Sequence, residues 1–149
     1  MLKDENFIKI ATEIAKASKC VSKHVGAVIV KDGRILSTGY NGTPAKYQNC
    51  SDYWQGNYTS EHHEWSKKYE IHAEMNAIIW AAREGICIKD STIYVTLEPC
   101  SECSKNIIAT GITRIVYLKS YEYNNSEVTT KFLQDNGVQI EQIDIQECD

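Results

Sequence analysis

Apolar residues recur three and four apart along the opening segment, at Phe7, Ile10, Ala11, Ile14 and Ala17. This predicts a first helix, running to about Ser18, with one face packed on the rest of the chain. The pattern then changes. Residues 25–30 are a near-continuous apolar run, Lys31-Asp32-Gly33 is a turn sequence, and residues 34–40 resume as a strand, which reads as a hairpin. From 39 to 69 the chain is polar and rich in Gly, Asn, Ser and Tyr. A connection of that length is usually functional or disordered, and Trp54, His62, His63 and Trp65 within it argue against disorder. Beyond it, Met75, Ala77, Ile78, Ala81 and Ala82 lie at helical spacing in a helix that His72 opens and Gly85 ends. Strands at 92–97, 114–118 and 138–143 then alternate with helices at 101–110 and 126–136, and Gly111 and Gly137 fall where helix C-caps are wanted. Strands alternating with helices imply crossover units, so the expectation is one α/β domain built on a mixed five-stranded sheet with helices on both faces.

Composition narrows the setting. The chain has 149 residues, enough for a real apolar core, with 42% hydrophobic and 24% charged residues, as in an ordinary globular domain. A net charge of −4 with scattered lysines offers no basic stripe for a phosphate backbone, so no nucleic-acid partner is expected. Acids near the start, at Asp4 and Glu5, interrupt any signal-like run, and no stretch is long enough to span a membrane. The expected location is the cytoplasm. In that reducing setting six cysteines read as metal ligands and buried thiols rather than disulfides. Cys87, between Ile86 and Ile88, is expected in the core, and Cys148 is expected to be an inert tail residue.

Two short stretches carry the chemistry: His72-Ala73-Glu74 and Pro99-Cys100-Ser101-Glu102-Cys103. One imidazole and two thiolates make a three-ligand zinc set, which leaves a fourth tetrahedral position for water, as in catalytic sites. Such a water falls in pKa from about 15.7 to about 7. Cys100 and Cys103 are three apart, so a helix starting near Ser101 projects both sulfurs to one side of its first turn. The positive pole and unpaired N–H groups there favour thiolate. Glu74 would move protons. A CxxC alone is also a redox pair or half of a structural zinc site, whereas the two motifs together, each at a helix start, favour catalytic zinc.

HxE followed by PCxxC is the signature of zinc-dependent nucleobase deaminases. By itself it does not choose among cytidine, guanine, riboflavin-pathway and nucleic-acid enzymes. Ser18-Lys19-Cys20, Gly39-Tyr40-Asn41-Gly42-Thr43-Pro44, Asn49-Cys50 and the block from Glu70 through Ile78 are more specific. In this order they resemble the deoxycytidylate (dCMP) deaminases, particularly the bacteriophage type, over nearly the whole chain. The resemblance implies a three-layer α/β/α cytidine-deaminase-like fold and hydrolysis of dCMP to dUMP and ammonia, feeding thymidylate synthesis. It implies His72, Cys100 and Cys103 as ligands of the catalytic Zn2+ and Glu74 as the general acid and base. Backbone at Leu97-Glu98-Pro99 is implied to accept from the exocyclic amine, Ala73 to contact substrate, and Tyr121 to pack on the base. Ser18, Lys19 and Lys23 are the candidates for the phosphate, and Asn41 for the sugar. Family members often carry arginine at the position of Lys23, so a point charge here replaces a bidentate fork.

The resemblance extends to two further sites. Cys20, Cys50, His62 and Glu70 match a second, closed and therefore structural zinc set of some phage-type members, with His63 as the alternative imidazole. The stretch Gly39, Tyr40, Asn41, Gly42 is implied to form an allosteric site for deoxynucleoside triphosphates, dCTP activating and dTTP inhibiting, with Mg2+ and in a homo-oligomer, a hexamer. Its glycines are also suited to close approach of a ligand or to positive φ. The alternatives are a free cytidine or guanine deaminase, a nucleic-acid deaminase, and a zinc-stabilised binding module without catalysis.

Overall fold

The computed structural model describes residues 1–54, 59–121 and 126–145. Its elements are α1 (Asp4–Ala15), β1 (Gly26–Lys31), β2 (Arg34–Tyr40), α2 (Cys50–Tyr53), α3 (Ser60–Tyr69), α4 (Ala73–Arg83), β3 (Thr92–Leu97), α5 (Ser101–Thr110), β4 (Arg114–Lys119), α6 (Ser126–Asp135) and β5 (Gln139–Gln142). The expected hairpin forms. β1 and β2 pair antiparallel from Gly26 opposite Tyr40 to Lys31 opposite Arg34, with a register shift between Ile29 and Val30. β3 lies antiparallel to β1 but parallel to β4, and β4 parallel to β5, giving one mixed sheet in the order β2-β1-β3-β4-β5.

Alternate side chains of the strands point to opposite faces, and the two faces bury different helices. Ala27, Ile29, Ile93, Val95 and Ile115 form one core with Ala73, Ala77 and Ala81 of α4, Ile107 of α5 and Leu133 of α6. Val28, Val30, Tyr94 and Val116 form the other with Phe7, Ile8 and Ala11 of α1. The layers are thus helices, sheet, helix, as expected.

Two glycines set how closely the helices approach. A Cβ on Gly26 would lie 2.0 Å from the carbonyl oxygen of Ala11, so α1 packs directly on the backbone of β1. A Cβ on Gly39 would lie 2.4 Å from the Ala73 carbonyl oxygen and 2.6 Å from the Ala77 nitrogen, so α4 does the same on β2. The Ser37 hydroxyl adds a 2.7 Å hydrogen bond to the Ala77 carbonyl. These contacts fix the start of α4, where the chemistry lies.

Several expectations are corrected. α1 ends at Ala15 and buries Ile8 and Ala15, while Ala17 is exposed beyond it. In α4, Ala82 is exposed and Met75 and Ile78 are half-buried; Glu74 takes a buried position instead. The polar connection 39–69 is not irregular throughout, since it holds α2 and α3. Cys87 is exposed rather than in the core, because α4 has ended and the chain turns outward between Ile86 and the buried Ile88. Cys148 lies outside the described residues. Among the described residues no helix is long and apolar enough to cross a membrane.

Candidate functional site

Two helix starts converge as the motif spacing requires. His72 is the N-cap of α4, with φ −65° and ψ 153°, and Cys100 is the N-cap of α5, with φ −70° and ψ 169°. Both caps are extended, so their side chains leave the helix axis and meet. Nδ1 of His72 lies 3.5 Å from Sγ of Cys100 and 3.3 Å from Sγ of Cys103. The three donor atoms all lie within 4.8 Å of one another. The Cys103 backbone N–H donates to Cys100 Sγ at 3.5 Å, the helix-start contact that favours thiolate.

The electrostatics agree with a metal-binding set. A hydrogen bond from the Cys103 thiol, aided by His72 and the Cys103 N–H and opposed by burial, pulls the Cys100 thiol down to about 4. Cys103, donating to Cys100 and buried, is pushed far up. The opposite directions of the two thiols favour thiolate at Cys100, and zinc binding at this set would favour thiolate at both. His72 is raised by its hydrogen bond to Cys100. Glu74 sits 4% exposed, and burial raises its carboxyl while the Cys103 contact and the His72 charge pull the other way. A carboxyl whose neutral form is favoured by burial is suited to both accepting and returning a proton.

These groups open onto a cleft whose wall includes His72, Ala73, Glu74, Glu98 and Cys100. Lys23, Asn41 and Tyr121, assigned from sequence, line the same space. Nζ of Lys23 lies 4.2 Å from the Tyr121 ring centroid, and the Tyr121 N–H donates to Glu98 Oε1 at 3.3 Å. Asn41 is clamped: its Oδ1 accepts from the Val25 N–H and its Nδ2 donates to the Lys23 carbonyl, each at 2.8 Å. Among the described residues, one further lone pair and one further N–H of that amide are left for a ligand. Ser18 is placed differently from the expectation. Its hydroxyl is buried behind the cleft, donating to the Asn41 carbonyl at 2.8 Å, and Lys19 is exposed and outside the cleft wall.

The stretch 39–42 runs along the same region. Gly39 faces α4 rather than an open surface, and Tyr40 is exposed with its carbonyl accepting from Asn76 Nδ2 at 2.7 Å. Gly42 and Ile71 exchange two backbone hydrogen bonds, of 3.1 and 2.8 Å, immediately before His72. Neither Gly39 nor Gly42 has positive φ; close packing explains the first, and open space surrounds the second.

A second donor set is assembled from Cys20, Cys50, His62 and Glu70, whose ligand atoms also lie within 4.8 Å of one another. Cys50 Sγ is 3.2 Å from His62 Nε2, and Cys20 Sγ is 3.4 Å from Glu70 Oε1. Burial pushes both thiols up, Cys50 to about 12. Glu70 Oε2 is buried without a hydrogen-bond partner among the described residues. Two thiols, an imidazole and a carboxylate with an unsatisfied oxygen fit a tetrahedral zinc with no position left open. His63, Ser66 and Lys67 also line the cleft, although the sequence marks their segment only as a connection and His63 only as an alternative ligand. In α3, 62 and 65 are three apart and face inward, which turns 63, 66 and 67 to a neighbouring face.

Residues 1–119 match the family model described as the cytidine and deoxycytidylate deaminase zinc-binding region. The chain belongs to that family. It is 42% identical to the deoxycytidylate deaminase of Enterobacteria phage T4 over 83% of this chain and 81% of that one. With the deoxycytidylate deaminase of Mycobacterium phage D29 the identity is 41%, over 78% of this chain and 94% of the relative. The dCMP deaminase of cyanophage S-TIM5, in complex with dCMP and dUMP, superposes with a TM-score of 0.79 at 31% identity, covering 96% of this chain and all 100% of that one.

Proposed function

We propose that this enzyme deaminates dCMP to dUMP and ammonia. The observation that carries the reading is that one cleft gathers the His72, Cys100 and Cys103 donors, the buried Glu74, and Lys23, Asn41 and Tyr121. Bound at the three donors, zinc supplies a water acidic enough to lose a proton near neutral pH. The Glu74 carboxylate takes that proton and passes it to the cytosine ring nitrogen as the C4–O bond forms. A second transfer through Glu74 carries the proton of the new C4 hydroxyl to the amine as the C4–N bond breaks, so water enters and ammonia leaves. Tyr121 bounds the space for the base and Lys23 that for the phosphate, and the Asn41 amide lies in the wall for the sugar.

The relatives' names and the dCMP complex of the cyanophage enzyme support the nucleotide rather than the nucleoside. The finer parts of the reading are a structural zinc at Cys20, Cys50, His62 and Glu70, supply of dUMP for thymidylate synthesis in the cytoplasm, of the host if phage-encoded, and a hexameric state. At Gly39, Tyr40, Asn41 and Gly42 the reading places regulation by dCTP and dTTP with Mg2+. The Gly42 to Ile71 bridge supports it, because a ligand that moves Gly42 moves the residue next to His72. Coupling of this kind is reciprocal, so substrate must tighten dCTP binding by the factor that dCTP tightens substrate binding.

The test is steady-state turnover of dCMP and deoxycytidine, alone and with added dCTP or dTTP. The expected result is strong preference for dCMP, with the two triphosphates moving the rate curve in opposite directions. Equal or faster reaction of deoxycytidine would overturn the nucleotide reading, and superimposable curves would remove the regulation.

A further inference from the structure

Helix α3 contributes three side chains to the cleft that none of the roles above uses: His63, Ser66 and Lys67. They lie three and four apart and so share one face of the helix. His62 and Trp65, on the adjoining face, are buried. The Trp65 ring stacks on Tyr53 with centroids 5.4 Å apart and contacts Tyr69 at 5.4 Å, while His62 meets Cys50. Packing therefore sets the rotation of α3, and with it the direction of the polar face.

The charge balance of the cleft gives that face a purpose. Glu70, Glu74 and Glu98 all line the space, and an incoming phosphate dianion is repelled by each of them that is ionised. The lining cations are Lys23 and Lys67, and among the described residues neither stands in an ion pair. Lys23 already lies over the Tyr121 ring, and an ammonium is a point charge that does not fork across several phosphate oxygens. A second cation with neutral donors beside it supplies what Lys23 alone lacks. The neighbouring Lys68 faces elsewhere, lining a separate shallow hollow with Tyr47 and Tyr69.

We propose that Lys67, with Ser66 and His63 beside it, is a specificity-determining residue that holds the 5′-phosphate of the substrate together with Lys23. This rests on the reading of the chain as a nucleotide deaminase. The experiment compares kcat/KM for dCMP and for deoxycytidine in the wild type, Lys67→Ala and Lys68→Ala. Lys67→Ala is expected to lose about 10- to 100-fold on dCMP, the range of a hydrogen bond to a charged group, chiefly through KM, and to leave deoxycytidine unchanged. Lys68→Ala removes the same charge from the same helix and is expected to leave both substrates unchanged. The assignment is overturned if Lys67→Ala keeps the wild-type preference, if it loses equally on both substrates, or if Lys68→Ala matches it. A wild type that does not prefer dCMP would instead overturn the nucleotide reading itself, a result visible before any variant is compared.

Discussion

Glu74 stands two residues after His72, and that offset decides its role. His72 caps the helix and points out of it, while Glu74 falls in the first turn on the buried side, 4% exposed and beside Cys103. Leaving a carboxylate in such a place is costly unless it has work to do, since burial disfavours the charged form. A purely structural zinc has no use for it. Glu74→Gln keeps the size and most of the hydrogen bonding, so the variant is expected to fold and to bind two zinc ions per chain, yet to lose about 10²- to 10⁴-fold in turnover. Metal analysis of protein purified without added zinc, run beside the assay, checks both halves. Unchanged activity would falsify the proton-carrier role, and a single zinc per chain would remove the Cys20, Cys50, His62 and Glu70 site.

At the scale of elements, the site depends on helices held unusually close to the sheet. α1 and α4 approach β1 and β2 through Gly26 and Gly39, where any Cβ meets helix backbone rather than a yielding side chain. Gly26→Ala is expected to destabilise by about 1–3 kcal/mol, the cost of overpacking, with α1 forced outward. Gly42 has no heavy atom within 4 Å of the Cβ position, so Gly42→Ala is expected to leave stability nearly unchanged. Urea denaturation of the two variants checks the contrast. The same comparison separates packing from ligand contact in the stretch 39–42: a regulatory defect in Gly42→Ala without loss of stability places the effector beside it.

Across the whole molecule, the first helix is tied to the far strands by Arg114. Its guanidinium donates to both carboxylate oxygens of Asp4, at 2.9 and 2.7 Å, and also to Glu141, while the Tyr94 hydroxyl donates to Asp4 at 2.6 Å. One cluster thus joins α1, β3, β4 and β5. The Arg114 hydrogen bonds hold the Asp4 carboxyl below its ordinary value of 3.8. A depressed carboxyl stabilises the fold above its unfolded pKa, and that contribution is lost as the pH falls through the folded value. Asp4→Asn is therefore expected to cost about 1 kcal/mol at neutral pH, modest because the pair is partly exposed. The gap between variant and wild type should close on acidification below about pH 4, as denaturation midpoints measured across pH will show.

The chain's order of residues was enough to show the candidate ligands and most of the elements. The ligand types, the offset of Glu74, the hairpin and the alternating strands and helices are local patterns of period two or 3.6, or motifs of a few residues, so they are legible without knowing what lies nearby. What only the tertiary structure decided is which surfaces face each other. α3 was hidden because its apolar positions are few and its packing partners, Tyr53 and Cys50, belong to a separate short helix. Lys19 and Lys67 are both exposed lysines in polar surroundings, and nothing in their neighbours tells them apart. The rotation of α3 does, and that rotation is set by aromatic stacking and by a donor set whose members come from positions as far apart as 20 and 70. Burial is a property of pairs of surfaces, so a sequence shows which faces can be covered and only packing shows what covers them.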